Sequence, residues 1–311
     1  MTFEVKNGFV VNPQKDYSPH YTISPFSNSF LKSNKSTYQQ GESLDSYISK
    51  RFDDRKYSLA INGKSALRSA LNSIGLFCND IVTILTTSGN SYISSCVTNV
   101  VSEFCKWNMR VTSKSRAILV IHEFGFPFEN LIDLKNYNLP IIEDCCYAFN
   151  SNDKSNYIYN VGDYLIFSFP KYFPVQAGGL LVADKNIDQC KANKDIYSYI
   201  TKSVGLYIPM IEEIAHKRRQ NWLFLESLFK SININPRFDL NEKITNSVFI
   251  FRVPSNVNTD ILKLHMNSNG IESSVFYGED TFFIPCHQYL DEEDLLFFFT
   301  VFSKGLSINA K

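Results

Sequence analysis

A single lysine in a short turn is the first residue of this sequence with an evident chemical use. Lys171 lies between two apolar runs of strand length, three residues after Ser168 and shortly before a pair of glycines. Upstream, the apolar run 139–142 is followed by acidic residues that end at Asp144. An amine and a carboxylate so placed suit pyridoxal phosphate (PLP). The lysine can hold the cofactor aldehyde as a Schiff base, and the carboxylate can keep the pyridine nitrogen protonated.

Each of these two residues also has an ordinary explanation. Most lysines are solvated surface groups, and an aspartate after a strand is commonly a loop residue or a helix cap. The chemical interpretation requires Lys171 and Asp144 to meet at the edge of an α/β sheet where the strands end and ligands bind.

A second group of residues could bind a phosphate. Asn62 and Gly63 form a turn between a predicted strand and a predicted helix, and N–H groups at a helix start attract anions. Ser168 could add a hydroxyl to the same phosphate. Tyr92, which follows another predicted strand, could stack on a flat cofactor ring, although an ordinary core aromatic is the alternative.

Composition narrows the class of protein. The chain has 311 residues, 44% of them hydrophobic, with 31 basic and 31 acidic residues, so it has no overall basic field for nucleic acid or an anionic membrane. No apolar run is long enough to span a membrane, and the first residues lack the apolar core of a signal peptide. The seven cysteines show no metal-ligand spacing, so we expect reduced thiols, a cytoplasmic location and no metal.

Alternating strand and helix patterns predict an α/β fold with a mainly parallel sheet covered by helices. We expect an N-terminal arm at 1–50, a large PLP-binding domain at 51–204 and a small C-terminal α/β domain at 205–311. Strands are predicted at 57–61, 81–85, 117–121, 139–144, on both sides of Lys171, at 248–253 and at 271–277. Helices are predicted at 41–52, 65–74, 92–101, 205–230, 260–267 and 292–302.

Short motifs in a fixed order resemble one family, the DegT/DnrJ/EryC1/StrS aminotransferases, which are PLP-dependent enzymes of fold type I. The resemblance extends from about residue 38 to the C-terminus. The matching motifs are YQQG at 38–41, AINGKSAL at 60–67, HEFGFP at 122–127, IEDCCYA at 142–148, FSFPK at 167–171 with AGG at 177–179, NGIESS at 269–274 and IPCHQYLDEED at 284–294. The family fold implies a seven-stranded, mainly parallel sheet in the large domain.

The resemblance assigns roles to individual residues. It makes Lys171 the lysine that holds PLP and Asp144 the partner of the pyridine nitrogen. Tyr147 takes the place of a Gln or His that faces the phenolic oxygen of the cofactor. The ring-stacking position and the phosphate seat fall on Tyr92, Ser168, Gly63, Lys64 and Ser65. Lys171 would also act as general base, with a pKa lowered by burial beside the pyridinium.

The resemblance also implies a substrate class and an assembly. Family members typically aminate keto sugars attached to nucleotides, use glutamate as donor and work as homodimers that share active sites. Three departures stand out: a lysine at position 64, a lysine loop about two residues shorter, and no recognisable substrate-binding segment between Cys190 and Met210. Two alternatives therefore stay open: a PLP-binding relative with altered chemistry, or a degenerate protein that serves in binding or assembly.

Overall fold

The computed structural model describes residues 20–35, 43–53, 55–153, 155–184, 187 and 193–309. These residues form two compact units. The larger unit comprises the described residues of Phe26–Glu213 together with Lys243–Thr245. The smaller unit comprises residues 20–25, Ile214–Glu242 and 246–309. Residues 26–35, 43–50 and 205–213 thus lie in the larger unit, and the parts of the predicted arm at 1–19 and 36–42 lie outside the described residues.

The larger unit alternates strands and helices along the chain, as the sequence pattern predicts. Its helices and strands are α1 (Leu31–Asn34), α2 (Leu44–Arg51), β1 (Lys56–Ala60), α3 (Gly63–Ile74), β2 (Ile81–Thr86), α4 (Ser95–Ser102), β3 (Lys106–Asn108), β4 (Ser115–Ile121), β5 (Ile141–Asp144), β6 (Tyr164–Ser168), β7 (Gly179–Ala183) and α5 (Lys194–Gly205).

The seven strands make one sheet in the order β1-β7-β6-β5-β4-β2-β3. Five neighbouring strands of this sheet are parallel to one another: β3, β2, β4, β5 and β6. β7 runs antiparallel to both of its neighbours, β1 and β6. This confirms the predicted α/β class with a mainly parallel seven-stranded sheet. The ends of β4 and β5 are in register, because Asp144 pairs with Ile121, while β6 continues for two residues beyond Ile166, the partner of Asp144 on its other side.

The sheet carries buried side chains on both of its faces. On one face, Leu67 and Leu71 of α3 join Val97 of α4 in a core with Ile142 and Ile166 of the sheet. The near-continuous apolar runs of the inner strands follow from this double burial.

The smaller unit is a three-stranded antiparallel sheet with helices. Its elements are α6 (Ile211–Lys230, from Ile214 onward), β8 (Val248–Arg252), α7 (Thr259–Ser268), β9 (Ser274–Val275), β10 (Thr281–Pro285) and α8 (Glu292–Asn309), and the strand order is β8-β10-β9. Residues 20–25 belong to this unit, where Tyr21 donates its N–H to the Gly270 oxygen at 2.9 Å. No helix among the described residues has the length and apolar character that crossing a membrane requires.

Several predicted boundaries were wrong. The helix predicted from Tyr92 begins at Ser95, since the Ser94 side chain accepts the N–H of Cys96 and so caps the helix there. The strand predicted at 271–277 is reduced to two residues, and the central strand of the small sheet, β10, was missed. β10 has five residues, is apolar on both faces and ends at Pro285, so it offers no alternation to detect.

The region between Cys190 and Met210 contains a helix that was not predicted. This helix, α5, is capped at its start by the Asn193 side chain, which accepts the N–H of Ile196 at 2.8 Å. Its Tyr, Ile, Thr and Val residues are weak helix formers, so packing determines the helix: Ile200 and Val204 are fully buried.

Candidate active site

Two of the predicted residues meet at the carboxyl edge of the sheet. Asp144 is the last residue of β5, and Lys171 ends the short helical turn that follows β6. Since β5 and β6 are parallel neighbours, both residues leave the sheet at the same edge, where ligands bind in open α/β folds. The two side chains are near enough for the Lys171 ammonium to act on the pKa of the Asp144 carboxyl.

Asp144 is a buried carboxyl group, only 7% exposed. The backbone N–H of Cys146 donates to its Oδ1 at 3.0 Å. Burial raises the pKa of Asp144, while hydrogen bonds from Cys146 and the nearby His122 and Lys171 act in the opposite direction. A carboxylate that has lost much of its hydration is stabilised by a cationic partner, such as a protonated ring nitrogen.

Lys171 contacts a tyrosine that the family resemblance had placed beside the cofactor. Its Nζ donates to the Oη of Tyr147 at 2.9 Å and lies 4.6 Å from the centre of the Tyr147 ring. The interaction with Tyr147 raises the pKa of Lys171, although burial alone would lower it. The predicted lowering of the Lys171 pKa concerns the lysine beside a bound pyridinium, and it stays a prediction.

The loop that carries Lys171 is anchored by aromatic side chains. Tyr172 and Phe173 follow the lysine and are buried, and both rings pack against Phe149 at centroid distances of 5.0 and 4.9 Å. The Tyr172 hydroxyl donates to the Ile211 oxygen at 2.9 Å. This packing holds the lysine loop at the sheet edge.

Gly178 closes the same loop and can only be glycine. Its φ of +133° disfavours any other residue, and an added Cβ would lie 2.8 Å from the ring of Phe169. The N–H of Phe169 donates to the Gly178 oxygen at 3.0 Å, which ties the two ends of the loop together.

The predicted phosphate seat lies where α3 begins, and it meets the lysine loop through close backbone contacts. A Cβ on Gly63 would lie 2.7 Å from Cys146 Sγ and 3.2 Å from Ser168 Cβ. A Cβ on Gly179 would lie 2.5 Å from the carbonyl of Asn62. The start of α3 therefore sits against the residues that follow β5 and β6, which brings Gly63 and Ser168 together as predicted from the sequence.

The residues of the seat differ in what they offer a phosphate. The N–H of Ser65 already donates to the Asn62 side chain at 2.9 Å, so this donor serves as the helix cap. The N–H groups of Gly63 and Lys64 belong to the first helical turn, which has no intrahelical acceptors. The Lys64 side chain is exposed.

Tyr92 lies in the segment between β2 and α4, 45% exposed, and its N–H donates to the Asn90 side chain at 3.1 Å. Shortly after it, Cys96 in the first turn of α4 contributes to the electrostatic environment of both Lys171 and Cys146. The start of α4 thus borders the site, and ring stacking by Tyr92 stays a prediction.

A buried His–Glu pair supports the sheet edge, and sequence reasoning had not singled it out. The N–H of Phe128 donates to His122 Nδ1 at 3.0 Å, so the neutral ring carries its proton on Nε2, which donates to Glu143 at 3.1 Å. Glu143 also accepts the backbone N–H groups of Tyr159 and Gly162, at 2.9 and 2.5 Å. The signal for this pair in the sequence was its position in two motifs, with His122 in HEFGFP and Glu143 in IEDCCYA.

The same pair lies close to a third potential ligand. His122, Glu143 and Cys145 have ligand atoms within 4.8 Å of one another, a spacing that could suit a metal ion. A protonated Nε2 cannot bind a metal, however, and burial keeps the Cys145 thiol protonated by raising its pKa well above the usual range. Hydrogen bonds account for this cluster without an ion.

Comparison with known proteins gives the site a family context. The sequence model of the DegT/DnrJ/EryC1/StrS aminotransferase family matches residues 105–194, a range that contains Asp144 and Lys171. GDP-perosamine synthase of Escherichia coli O157:H7 is 33% identical over 149 residues, which cover 42% of this chain and 41% of that protein. The chain thus spans about two fifths of the length of this curated relative.

Solved structures share the fold at low sequence identity. The putative sugar aminotransferase Spr1654 of Streptococcus pneumoniae, in its PLP form, superposes with a TM-score of 0.71 at 14% identity, covering 94% of this chain and all (100%) of that one. Helicobacter pylori PseC, an aminotransferase of pseudaminic acid biosynthesis, gives 0.70 at 14% identity, with 93% and 99% covered. Residues 105–194 thus match the DegT/DnrJ/EryC1/StrS aminotransferase family, and the chain shares its fold with these two aminotransferase structures.

Proposed function

We propose that the protein is a PLP-dependent aminotransferase that acts on a keto sugar. The observation that carries the proposal is the convergence of Lys171, Asp144 and the glycine turn at Gly63 on one edge of the sheet. The protein thereby offers an amine for an aldehyde, a buried carboxylate for a ring nitrogen and helix-start N–H groups for a phosphate.

The residues present fit PLP on structural grounds. Asp144 is a dehydrated carboxyl group beside an amine, and the close approach of Gly63 and Gly179 leaves backbone where any side chain would intrude. Bound there, PLP would supply an electron-accepting ring that stabilises negative charge at a substrate carbon. Lys171, Asp144, Tyr147, Ser168 and the first turn of α3 are the groups that we assign to holding it.

Each residue has a physical task in this proposal. Lys171 would hold the aldehyde carbon and, when its amine is free, would move a proton at the substrate carbon. The raised pKa of Lys171 means that its ammonium must lose a proton before the amine can act, and Tyr147 Oη accepts a hydrogen bond from it and so orients it. Asp144 would keep a proton on the ring nitrogen, and the phosphate side would fix the position of the cofactor.

For the substrate, we propose a keto sugar linked to a nucleotide, with glutamate as the amino donor. The names of two similar proteins, a GDP-perosamine synthase and an aminotransferase of pseudaminic acid biosynthesis, support a sugar substrate. Such a reaction belongs to amino-sugar or surface-polysaccharide synthesis. The helix α5 occupies the region where a substrate-binding segment was expected, so selectivity that differs from these relatives would fit the structure.

We further propose a homodimer acting in the cytoplasm. Ile61 and Tyr92, which flank the proposed phosphate and ring positions, are 43% and 45% exposed, and a second copy could cover them. The six cysteines within the described residues are free thiols, consistent with a reducing compartment. Light scattering at micromolar concentration should give twice the chain mass, and a monomer would contradict the dimer.

Turnover tests the function directly. The purified protein, supplied with PLP, glutamate and a panel of nucleotide-linked keto sugars, should produce 2-oxoglutarate and an amino sugar, whereas Lys171→Ala should produce neither. PLP binding without transamination of any panel member would favour a relative with altered chemistry. Failure to bind PLP would favour a non-catalytic role in binding or assembly.

A further inference from the structure

One cysteine lies at the centre of the proposed site, and the proposed function gives it no role. Cys146 is partly buried in the turn after β5. Its backbone N–H donates to Asp144 Oδ1 at 3.0 Å, and its thiol is near enough to the Asp144 side chain to lower the pKa of that carboxyl. On its other side, Sγ lies 2.7 Å from where a Cβ on Gly63 would be, so it touches the start of α3.

These contacts link the two halves of the site through one side chain. We propose that Cys146 is a positioning residue: its N–H and thiol both donate to the Asp144 carboxylate, and its sulfur packs on Gly63, which fixes the carboxylate relative to the phosphate seat. The inference rests on the proposed function, because it concerns the same cofactor site. It adds a residue that neither the motifs nor the proposed mechanism had assigned.

The protonation state of the thiol supports a donor role over a nucleophilic one. Burial, followed by the Asp144 charge and the hydrogen bond to it, raises the pKa of Cys146 well above the usual range, so the group keeps its proton. The other groups that act on Asp144 are Lys171, from the turn after β6, and His122, from the end of β4. Neither replaces a donor on the Asp144 turn itself.

Removing the Cys146 thiol should therefore weaken the interaction of the Asp144 carboxylate with a cationic ring. Cys146→Ala keeps the backbone bond but loses the thiol, so Asp144 should bind its own proton more tightly and PLP affinity should fall about tenfold. Cys146→Ser restores a hydroxyl donor of similar size and should stay within about threefold of the wild type. Cys78→Ser, in an exposed turn at the amino end of β2, is the matched control and should bind PLP like the wild type.

Two measurements separate this inference from the proposed function. PLP affinity of each variant is measured by equilibrium dialysis, and the pKa of Asp144 is measured by carboxyl ¹³C NMR without added PLP, its signal assigned with Asp144→Asn. A higher Asp144 pKa in Cys146→Ala with rescue by Cys146→Ser supports the inference, and an unchanged pKa overturns it. If the wild type binds no PLP, the proposed function fails, and the NMR titration alone still decides whether Cys146 controls the carboxylate. If the wild type binds PLP and Cys146→Ala binds it equally well, the inference is overturned while the proposed function stands.

Discussion

The two sides of the proposed site are built in different ways. The lysine side comprises Asp144, Tyr147, Lys171 and the buried aromatic rings that anchor their turns. The phosphate side is the start of α3 from Asn62 to Ser65, where the Lys64 side chain is exposed and the contacts are made by backbone.

This difference indicates which changes each side tolerates. On the lysine side, side-chain volume in a packed core determines geometry, so truncation leaves a cavity. On the phosphate side, the absence of side chains at Gly63 and Gly179 determines geometry, so additions are harmful and the loss of an exposed side chain matters little.

The largest effect should come from the aromatic anchor. Phe149→Ala removes a ring that is 2% exposed and packs on Tyr172 and Phe173, and it should destabilise the larger unit by about 3–5 kcal/mol. Ile61→Ala, at a 43% exposed position beside the phosphate side, should change stability by no more than about 0.5 kcal/mol. Urea unfolding measures the free energy of unfolding of both variants. Equal losses of stability would show that the two sides do not differ in this way.

An addition on the phosphate side should have the next largest effect. Gly63→Ala places a Cβ 2.7 Å from Cys146 Sγ and should cost about 1–3 kcal/mol of stability. The double variant with Cys146→Ala should recover part of that loss because it removes the sulfur. A double variant no more stable than Gly63→Ala alone would show that the clash lies elsewhere, for example at Ser168.

Asp144→Asn should produce a smaller change in stability, of opposite sign. Burial raises the pKa of Asp144 in the folded protein, so the folded protein binds a proton at this carboxyl more tightly than the unfolded chain does. Wild-type stability therefore falls as the pH rises from about 3.9 through the pKa of the folded state. Asn carries no charge, so the variant should be more stable than wild type at neutral pH, with the difference vanishing in acid. Thermal unfolding across pH tests this, and a less stable variant at neutral pH would contradict it.

The smallest effect should come from Lys64. Its side chain is exposed, so the backbone of the phosphate side should hold PLP without it, and Lys64→Ala should reduce retention by no more than about threefold. Dialysis against PLP-free buffer measures the retention. A tenfold loss would instead show that the ammonium contacts the phosphate and that side chains matter on this side too.

The sequence predicted those parts of the structure whose signals are local. The alternation of apolar runs and helix patterns was sufficient for six of the seven strands of the large sheet, all but the three-residue β3, and the Asn62-Gly63 turn for the start of α3. The contact between Lys171 and Tyr147 could not be predicted, because it joins turns after two different strands and depends on the packing of the loop that carries the lysine. The His122–Glu143 pair was missed for a related reason: a buried polar pair is recognisable only when its hydrogen-bond partners are known.

The central claim is that Lys171, and no other lysine, holds PLP. Borohydride reduction of the PLP-treated protein fixes the cofactor to whichever amine it occupies, and peptide mass spectrometry then locates it. We expect a stoichiometric phosphopyridoxyl group on the peptide containing Lys171, and none in Lys171→Ala. A label on Lys64 or spread over surface lysines, or no label at all, would contradict it.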